Sequence, residues 1–213
     1  MFEPSLRATR WRRSLALATL ALITLSCPPI HADEPGPKAV VQQTVQSVIE
    51  ILDQRSDKTK LREPERAAIR AILKERFDFA EMTRRSIGRA WKGLDPRRRQ
   101  EFTVLFTQLM EYTYGNRLSS YHGQKIEYDD AEFRHKRARV KSRVIDGDKI
   151  TPVEYRLRRR GGGWRIYDVK IEGVSLINTF RRDFRSMIER RGIDGLYAAL
   201  QEKVATLKAK SRD

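Results

Sequence analysis

The chain of 213 residues contains 44 Lys or Arg and 28 Asp or Glu residues, which give a formal net charge of +16 and an isoelectric point near 10.3. The length favours one domain or two small ones, and a hydrophobic fraction of 39% with clear apolar periodicity from about residue 40 excludes a largely disordered chain. The one cysteine, Cys27, excludes a disulfide framework, and the pair His122 and His135 has no neighbouring soft ligand, which argues against a zinc site.

The first 32 residues have the pattern of a secretory signal peptide. Arginines up to Arg13 precede an uncharged apolar run, Leu15–Leu25, and a short polar stretch ends in Ala32. The apolar run is shorter than the roughly 20 residues that a membrane-spanning helix needs. We therefore expect residues 1–32 to be removed on export and residues 33–213 to form a single domain.

Two variants of this export signal stay open. The pair Arg12-Arg13 fits a twin-arginine signal, and Cys27 fits a lipidated cysteine. Thr24 stands where a lipidation motif usually has Leu, so cleavage after Ala32 is the preferred interpretation.

Helical periodicity dominates the first half of the exported chain. Apolar residues recur at helical spacing in residues 39–54, and Pro64 is placed to open a second helix over residues 64–77. Residues 78–88 predict a short third helix that stops at Gly88. The longest helix is predicted to begin after Asp95 as N-cap, with Pro96 as its first residue.

The period changes to two from Lys125 onward, which predicts strands. The turn sequences DGDK (146–149) and GGG (161–163) favour hairpin connections. We expect four antiparallel strands at Lys125–Arg134, Arg137–Ile145, Lys149–Arg159 and Gly163–Ile171. One face should be apolar and the other very basic, the latter formed by Arg139, Lys141, Arg143, Arg156 and Arg158.

Two helices are predicted at the end of the chain, Val174–Arg190 and Ile193–Lys208, separated by Gly192 and followed by a frayed basic tail from about residue 208. The order of helices, strands and helices predicts an α+β fold. We expect a curved four-stranded antiparallel sheet with helices packed on its apolar face.

The sequence offers little for catalysis. Ser175 is better placed to cap the following helix than to act as a nucleophile, because Ile177 stands where a nucleophile elbow needs glycine. If Asp168 is buried it needs a partner, and we expect it to tie the last strand to the following helix, with an arginine such as Arg181 nearby. Adjacent Asp129-Asp130 would point to opposite faces of a strand. We therefore expect neither an enzyme nor a bound metal or other cofactor.

Basic residues cluster at 97–99, 134–139, 156–160, 181–185 and 190–191. In a cytosolic protein such clusters would indicate nucleic acid. Export argues against nucleic acid, because outside the cytoplasm the abundant polyanions are lipid head groups and lipopolysaccharide. We expect attraction to anionic membrane surfaces and no nucleic acid; a solvated basic surface is the plainer alternative.

The stretch GWRIYDVKIEGVSLINTFRRDF, residues 163–184, resembles the MlaC family, also called the toluene-tolerance periplasmic family. The shared features are Tyr167-Asp168-Val169, the run Ile171–Leu176, and Phe180-Arg181 followed by Phe184. The segment IGRAW (87–91) and the long helix are also similar to the family, so the resemblance covers about residues 40–200. Phe180 departs from the family pattern, where Tyr is usual; the ring is kept and a hydroxyl is lost.

This resemblance implies a soluble periplasmic lipid carrier. Members of the family hold phospholipid acyl chains between helices and sheet, and they shuttle between an outer-membrane lipoprotein complex and an inner-membrane ABC transporter. Some relatives are encoded with hopanoid biosynthesis, so a hopanoid or other polycyclic lipid stays open as the ligand. The sequence determines neither the direction of transport, nor the head-group preference, nor the oligomeric state.

We expect the acyl-chain cavity between the long helix and the apolar face of the sheet. Its predicted lining consists of Phe102, Leu105, Phe106, Leu109 and Met110 from the helix, Val140, Val144, Val153, Tyr155 and Leu157 from the sheet, and Ile166, Val169, Ile171 and Leu176 from the last strand and the residues after it. The candidates for head-group binding or docking are Arg181, Arg182 and Arg185. For each apolar residue, dry core packing is the plainer alternative.

Two rival functions remain from other classes. A small hydrolase or cyclase would need a polar pair inside the cavity. An exported polyanion-binding module would bind nucleic acid or lipopolysaccharide with strong salt dependence and without an acyl chain.

Overall fold

The computed structural model describes residues 34–210, except Thr59, Ser119 and the side chains of Asn116 and Arg117. The predicted signal peptide, the variants at Arg12-Arg13 and Cys27, and the last three residues of the predicted tail lie outside the described residues.

An antiparallel sheet stands between helices in the chain order, as the predicted elements indicated. The helices are α1 (Pro37–Gln54), α2 (Glu63–Arg76), α3 (Phe79–Ile87), α4 (Pro96–Leu118) and α5 (Leu176–Lys210), with a 3-10 helix at Gly88–Gly93. The strands are β1 (Lys125–Tyr128), β2 (Glu132–Arg134), β3 (Arg137–Asp146), β4 (Lys149–Arg160), β5 (Gly163–Ile171) and β6 (Val174–Ser175). The predicted α+β class is confirmed, with six strands in place of four.

Helix ends follow the capping signals of the sequence. The Asp95 carboxylate accepts a hydrogen bond from the backbone N–H of Arg98 at 2.8 Å, and Pro96 is the first residue of α4. Helix α3 ends at Ile87, because Gly88 adopts a φ of 73° that stops helical hydrogen bonding. The Ser175 hydroxyl accepts from the backbone N–H of Asn178 at 3.1 Å, which confirms Ser175 as the cap of α5.

The sheet has the order β1-β3-β4-β5-β6, with β2 also paired to β3. The prediction of one strand over Lys125–Arg134 is wrong. Residues 129–131 face only two residues of β3, between the pairs Tyr128–Ser142 and Glu132–Arg139, so one extra residue interrupts pairing and divides the strand. The short strand β6 was not predicted; it pairs with the end of β5 across a turn at Glu172 and Gly173.

The prediction of two final helices separated at Gly192 is confirmed, and the label α5 covers both helical segments. Gly192 has a φ of 69° and a ψ of −179°, so the helix is kinked there, yet helical structure resumes and continues to Lys210. The helix also starts later than predicted, at Leu176, because Val174 and Ser175 pair with β5. The described part of the predicted tail, residues 208–210, is helical.

The predicted basic face of the sheet carries its cations as expected, but acidic side chains stand between them. The contacts are Arg139 and Lys141 with Glu132, Arg143 with Asp129 at 2.9 Å, Arg156 with Glu154 at 2.9 Å, and Arg158 with Glu81 at 2.8 Å. Glu154 lies on the same strand as Arg156, but the other acids come from β2, from the segment between β1 and β2 and from α3, so local spacing did not indicate most of this pairing.

Two apolar regions position the candidate site. The first, called the packed core below, joins α3, α4, α5 and Tyr167; its buried members are Met82, Ile87, Phe102, Phe106, Leu109, Tyr167, Ile177, Phe180, Phe184, Leu196, Leu200 and Val204. In the second, the start of α1 lies on the inner face of the sheet, with Val40 and Val41 against Val140, Leu157 and Ile166. The candidate site lies beyond this second contact.

Candidate functional site

A cavity of about 520 Å³ lies between α1, α2, the second half of α4 and the inner face of the sheet. This volume falls in the range of roughly 300–1,000 Å³ that small-molecule pockets occupy. Apolar side chains form most of the wall. They are Val45, Val48, Ile49 and Leu52 from α1; Leu61, Ile69, Leu73, Phe77 and Phe79 from α2 and its flanks; Met110, Tyr114 and Leu118 from α4; Tyr121; and Ile126, Val144, Tyr155, Ile166, Val169, Ile171 and Leu176 from the sheet side.

The path of α1 explains why this space is not filled by protein. The first half of α1 packs directly on the sheet through Val40 and Val41, which are 2% and 0% exposed. The second half packs instead on α2, where Val48 and Leu52 meet Ile69. The second half of α1 therefore does not cover the sheet, and a gap lined by apolar groups remains between the sheet and the helices α1 and α2.

One end of the cavity is fixed by a buried arginine just past α1. The guanidinium of Arg55 donates to the backbone carbonyl of Tyr121 at 2.9 Å and to that of Leu118 at 3.4 Å. Arg55 is 4% exposed, so these bonds satisfy groups that cannot reach water. They tie the end of α1 to the end of α4, whose residues Leu118 and Tyr121 line the cavity.

Half of the residues predicted to line an acyl-chain cavity do border this one. They are Met110, Val144, Tyr155, Ile166, Val169, Ile171 and Leu176. Whether they contact a ligand stays a prediction. Both faces of β5 are buried. Ile166 and Val169 border the cavity, whereas Tyr167 lies in the packed core.

The other half of the predicted lining lies elsewhere. Phe102, Phe106 and Leu109 are in the packed core, and Leu105 packs against it. Val140 and Leu157 lie under the start of α1, where Val153 also packs. The reason is that α4 is shared between two regions: its first half faces α5, and from Thr107 onward a second face turns toward the cavity.

A polar group of side chains at the cavity wall was missed by sequence reasoning. Arg70 donates from Nε to Glu111 Oε2 at 2.7 Å and from Nη2 to Glu111 Oε1 at 2.5 Å, and it also contacts Glu63 at 3.0 Å. The hydrogen bond with Glu111 raises the pKa of Arg70. Both partners line the cavity, so this ion pair links α2 to α4 beside the apolar wall.

Arg66 lies next to this ion pair and is 9% exposed. Its Nε donates to the Leu61 carbonyl at 3.0 Å, and a Cβ on Gly115 would stand 3.4 Å from its Nη1. Gly115 therefore leaves room for the guanidinium against α4. A glycine inside a long helix costs about 1 kcal/mol relative to alanine, so Gly115 is a sequence signal that could have indicated a close approach at this point.

The ion pair between Arg70 and Glu111 lies where the apolar cavity meets a second, more polar groove. This groove runs between α2 and α4, and it shares Leu61, Arg66, Arg70, Phe77, Phe79, Thr107 and Glu111 with the apolar cavity. The outer part of this groove carries Lys60, Arg62, Lys74, Gln100 and Gln108. An amphipathic ligand would thus find an apolar space and a polar, charged space in contact with each other.

The tyrosines on the inner face of the sheet are neutral at ordinary pH. Burial raises the pKa of Tyr155 to about 12, and burial together with Tyr155 raises the pKa of Tyr128 further above its usual value. Tyr155 lines the cavity and contributes its ring and an un-ionised hydroxyl. It is therefore unsuited to act as a general base near neutral pH.

The other residues singled out in the sequence, Asp168 and the head-group candidates on α5, lie outside the cavity lining. Asp168 is 3% exposed and accepts from the Ser175 hydroxyl at 2.7 Å and from the Ile177 N–H at 3.2 Å, which confirms the tether from strand to helix. Its cationic neighbour is Arg156 at 3.7 Å and not Arg181. The head-group candidates Arg181, Arg182 and Arg185 are exposed on α5 and do not line the cavity.

The part of the chain that the structure describes has neither a metal-binding group nor a membrane-spanning helix. No three His, Cys, Asp or Glu side chains there come together as a metal-binding group. None of the helices there combines the length and the hydrophobicity needed to cross a bilayer.

Comparison with known proteins gives consistent matches. The family model described as MlaC protein matches residues 42–202. The intermembrane phospholipid transport system binding protein MlaC of Haemophilus influenzae is 22% identical over 184 residues, which are 81% of this chain and 84% of that protein. Toluene tolerance protein ttg2D of Pseudomonas putida is 33% identical over 101 residues, which are 46% of this chain and 47% of that protein.

A solved structure shares the fold. It is the phospholipid-binding protein from Ralstonia solanacearum, determined in complex with a phospholipid. The two structures superpose with a TM-score of 0.76 at 25% identity, and the match covers 82% of this chain and 99% of the other.

Proposed function

Because the chain belongs to the MlaC family, we propose that it is a periplasmic carrier that shields phospholipid acyl chains in the cavity between α1, α2, α4 and the sheet. One observation carries the proposal: about 520 Å³ of space is enclosed mainly by apolar side chains that no protein group fills. Exposing an acyl chain to water costs about 0.8 kcal/mol per methylene, so two chains of ordinary length cost on the order of 20 kcal/mol. Such a cavity removes this cost while lipid crosses an aqueous gap.

The relatives support phospholipid as the cargo. The Haemophilus influenzae protein is named as the binding protein of an intermembrane phospholipid transport system, and the Ralstonia solanacearum protein is seen with a phospholipid. We propose that this chain likewise carries lipid between the outer and inner membranes, with an outer-membrane lipoprotein complex and an inner-membrane ABC transporter as partners. The predicted signal peptide at residues 1–32 would deliver it to that compartment.

The chemistry of the cavity favours a carrier over a small hydrolase or cyclase. A hydrolase would need a polar pair in the cavity; Asp146 and Lys149 border it near a turn, and the ion pair at its wall is that of Arg70 with Glu111. Both carboxylate oxygens of Glu111 accept hydrogen bonds from Arg70, which holds the carboxylate as a structural partner. A general base must be free to take a proton, so this pair is poorly suited to catalysis. The names of the relatives describe lipid binding and transport, not a reaction.

The test is lipid analysis of the protein purified without detergent after export into a bacterial periplasm. We expect phospholipid at close to one molecule per protein in the extract, measured by mass spectrometry and by phosphate content. An exported protein without an apolar cavity, purified in parallel, corrects for adhering membrane.

The outcomes discriminate between the functions. A polycyclic lipid in the extract would keep the carrier and replace its cargo. A protein that emerges empty, and stays empty after incubation with phospholipid vesicles, would contradict the proposal and favour the polyanion-binding alternative.

A further inference from the structure

Two hairpin ends meet at one end of the sheet and expose aromatic and basic side chains together. The turn between β2 and β3 and the turn between β4 and β5 lie side by side, because β3 pairs with β4 and β4 with β5. We call this surface the basic tip; it consists of Phe133, Arg134, Lys136, Arg137, Trp164 and Arg165. Residues 132–137 are all exposed, whereas Trp164 and Arg165 are half-buried, and none of the tip residues lines the cavity.

The aromatic part of the basic tip is unusual for a solvent-facing surface. Phe133 is 64% exposed, the highest value among the exposed large hydrophobic residues of the described chain. Its ring meets that of Trp164 edge-on, with centroids 5.9 Å apart. An exposed Phe supported by Trp is the composition that is enriched at the interface between membrane and water.

The basic part of the tip departs from normal pairing in a sheet. The register puts Arg134 opposite Arg137, Arg137 opposite Arg158, and Arg158 opposite Arg165, so four arginines form one row across four strands. Like charges directly opposite each other destabilise a sheet. Arg158 has an ion pair with Glu81 at 2.8 Å.

The other cations of the basic tip have no ion pair that would offset this repulsion within the described part of the chain. Among the described residues, no ion pair is formed by Arg134, Lys136, Arg137 or Arg165. Farther from the tip on the basic face, ion pairs are formed by Arg139, Lys141, Arg143 and Arg156. A local arrangement that lowers stability and is left uncompensated indicates a binding surface.

We propose that the basic tip docks the protein on the surface of anionic phospholipid membranes. The cations would contact lipid phosphates, each Lys or Arg near such a surface contributing roughly fivefold in affinity. Phe133 and Trp164 would enter the boundary between head groups and acyl chains. This inference rests on the proposed function for its purpose, since a lipid carrier must reach a membrane, but the docking itself is measured without lipid transfer.

The geometry favours a membrane over an acidic protein partner. The exposed Phe133 sits at the ends of two hairpins, not in a groove or on a broad flat patch. A stable protein interface needs roughly 800 Å² of complementary surface on each side. Neighbouring residues on a strand project to opposite faces, so the ring of Phe133 and the row of arginines lie on opposite sides of this end of the sheet. A deformable lipid surface can contact both.

The test is sedimentation of the purified protein with two kinds of vesicle, phosphatidylcholine alone and phosphatidylcholine containing about one third phosphatidylglycerol. Replacing Arg134, Lys136 and Arg137 together by Gln should lower the affinity for the anionic vesicles on the order of a hundredfold. Phe133→Ser should lower it roughly tenfold. Binding of the unchanged protein should weaken as salt is raised.

Matched variants separate the tip from general charge and hydrophobicity. Replacing Arg190, Arg191 and Lys203 by Gln removes three exposed cations from α5, and Ile150→Ser removes another exposed apolar residue (57%) at the other end of the sheet. Both should bind anionic vesicles within about twofold of the unchanged protein if the tip is the docking site. Thermal unfolding of every variant checks that the fold is intact.

Several outcomes would overturn the inference. It is wrong if the tip and α5 variants lose affinity equally, or if the folded tip variants bind anionic vesicles normally. Normal vesicle binding with slower lipid exchange in whole membranes would assign the tip to an acidic protein partner instead. Bound phospholipid is measured in the same preparations. An empty protein that still docks contradicts the carrier proposal alone. A loaded protein that does not dock contradicts this inference alone.

Discussion

The packed core and the cavity are built from the same kinds of side chain, yet only the packed core is filled. In the packed core, Phe106 is 0% exposed and its ring meets those of Phe180 and Phe184 edge-on, at 5.2 and 6.2 Å. Around the cavity, Met110 on the next turn of the same helix borders empty space. Helix α4 thus passes from a region devoted to stability into one that leaves room for a ligand.

The difference between the two regions comes from their neighbours and not from hydrophobicity. The first half of α4 meets α5, whose Phe180, Phe184 and Leu196 are themselves buried against it. The second half faces α1 and α2 across a gap, because those two helices pack on each other. We therefore expect substitutions in the packed core to change stability, and substitutions around the cavity to change lipid content.

The largest effect is expected at the centre of the packed core. Phe106→Ala should lower the free energy of unfolding by about 3–5 kcal/mol, because it removes a fully buried ring and leaves a void beside two others. In a chain of this size this corresponds to a melting temperature lower by roughly 10 °C. Thermal and urea unfolding of protein freed of lipid provide the measurement. A loss below about 1 kcal/mol would show that this region is not close-packed.

A smaller effect is expected from the charges that join α3 to the sheet. Burial raises the pKa of Glu81, but hydrogen bonds from Arg84 and Arg85 outweigh burial and lower it to about 2, from a usual 4.5. The stabilisation is therefore fully present above pH 4.5 and is lost as the pH falls toward 2. At neutral pH we expect Glu81→Gln to cost on the order of 2 kcal/mol.

The pH profile distinguishes this charge effect from a simple loss of packing. The difference in unfolding free energy between the protein and Glu81→Gln should narrow between pH 4.5 and about 2. The same substitution at exposed Glu202 of α5 serves as the control and should leave the profile unchanged. A difference that stays constant across this range would assign the role of Glu81 to shape alone.

A matched pair on α4 compares the two regions directly. Leu109 lies in the packed core and Met110 borders the cavity, and their side chains have similar volumes. Leu109→Ala should cost about 3 kcal/mol, since it leaves an enclosed void. Met110 packs against the edge of the core on one side and borders the cavity on the other, so Met110→Ala should cost less, about 1 kcal/mol in lipid-free protein, because part of the lost volume joins a space that already exists. Equal costs would mean that the cavity wall is packed as tightly as the core.

This boundary within α4 also shows how far the sequence could predict the molecule. Periodicity and caps such as Asp95 and Gly88 predicted the helices, and alternation predicted the long strands, because both depend on local spacing. Periodicity reports which residues avoid water and not whether the space next to them is filled. Phe106 and Met110 therefore had the same prediction, and only the packing of α5 and α1 separates them.

Long-range polar contacts could not be predicted from the sequence for a related reason. The pairs Arg70–Glu111 and Arg158–Glu81 join residues that are far apart in the chain, and nothing in the spacing links them. A basic composition suggested a very basic sheet face, whereas the fold brings acids from α3 and from neighbouring strands onto it. Charge counts predict the sign of a surface and not its pattern.

The smallest effect on stability, and the most specific effect on lipid, is expected from filling the cavity. Val144 projects from β3 into the space, so Val144→Trp should occupy part of it and change the unfolding free energy of lipid-free protein by less than about 1 kcal/mol. Bound phospholipid, measured by mass spectrometry, should fall several-fold, because the ring takes the place of acyl methylenes worth about 0.8 kcal/mol each. Val174→Trp adds the same volume at an exposed position (57%) away from the cavity and should keep the full lipid content. Equal lipid in both variants would place the acyl chains elsewhere, whereas a loss confined to Val144→Trp would show that the unfilled space, and not hydrophobic surface in general, holds the lipid.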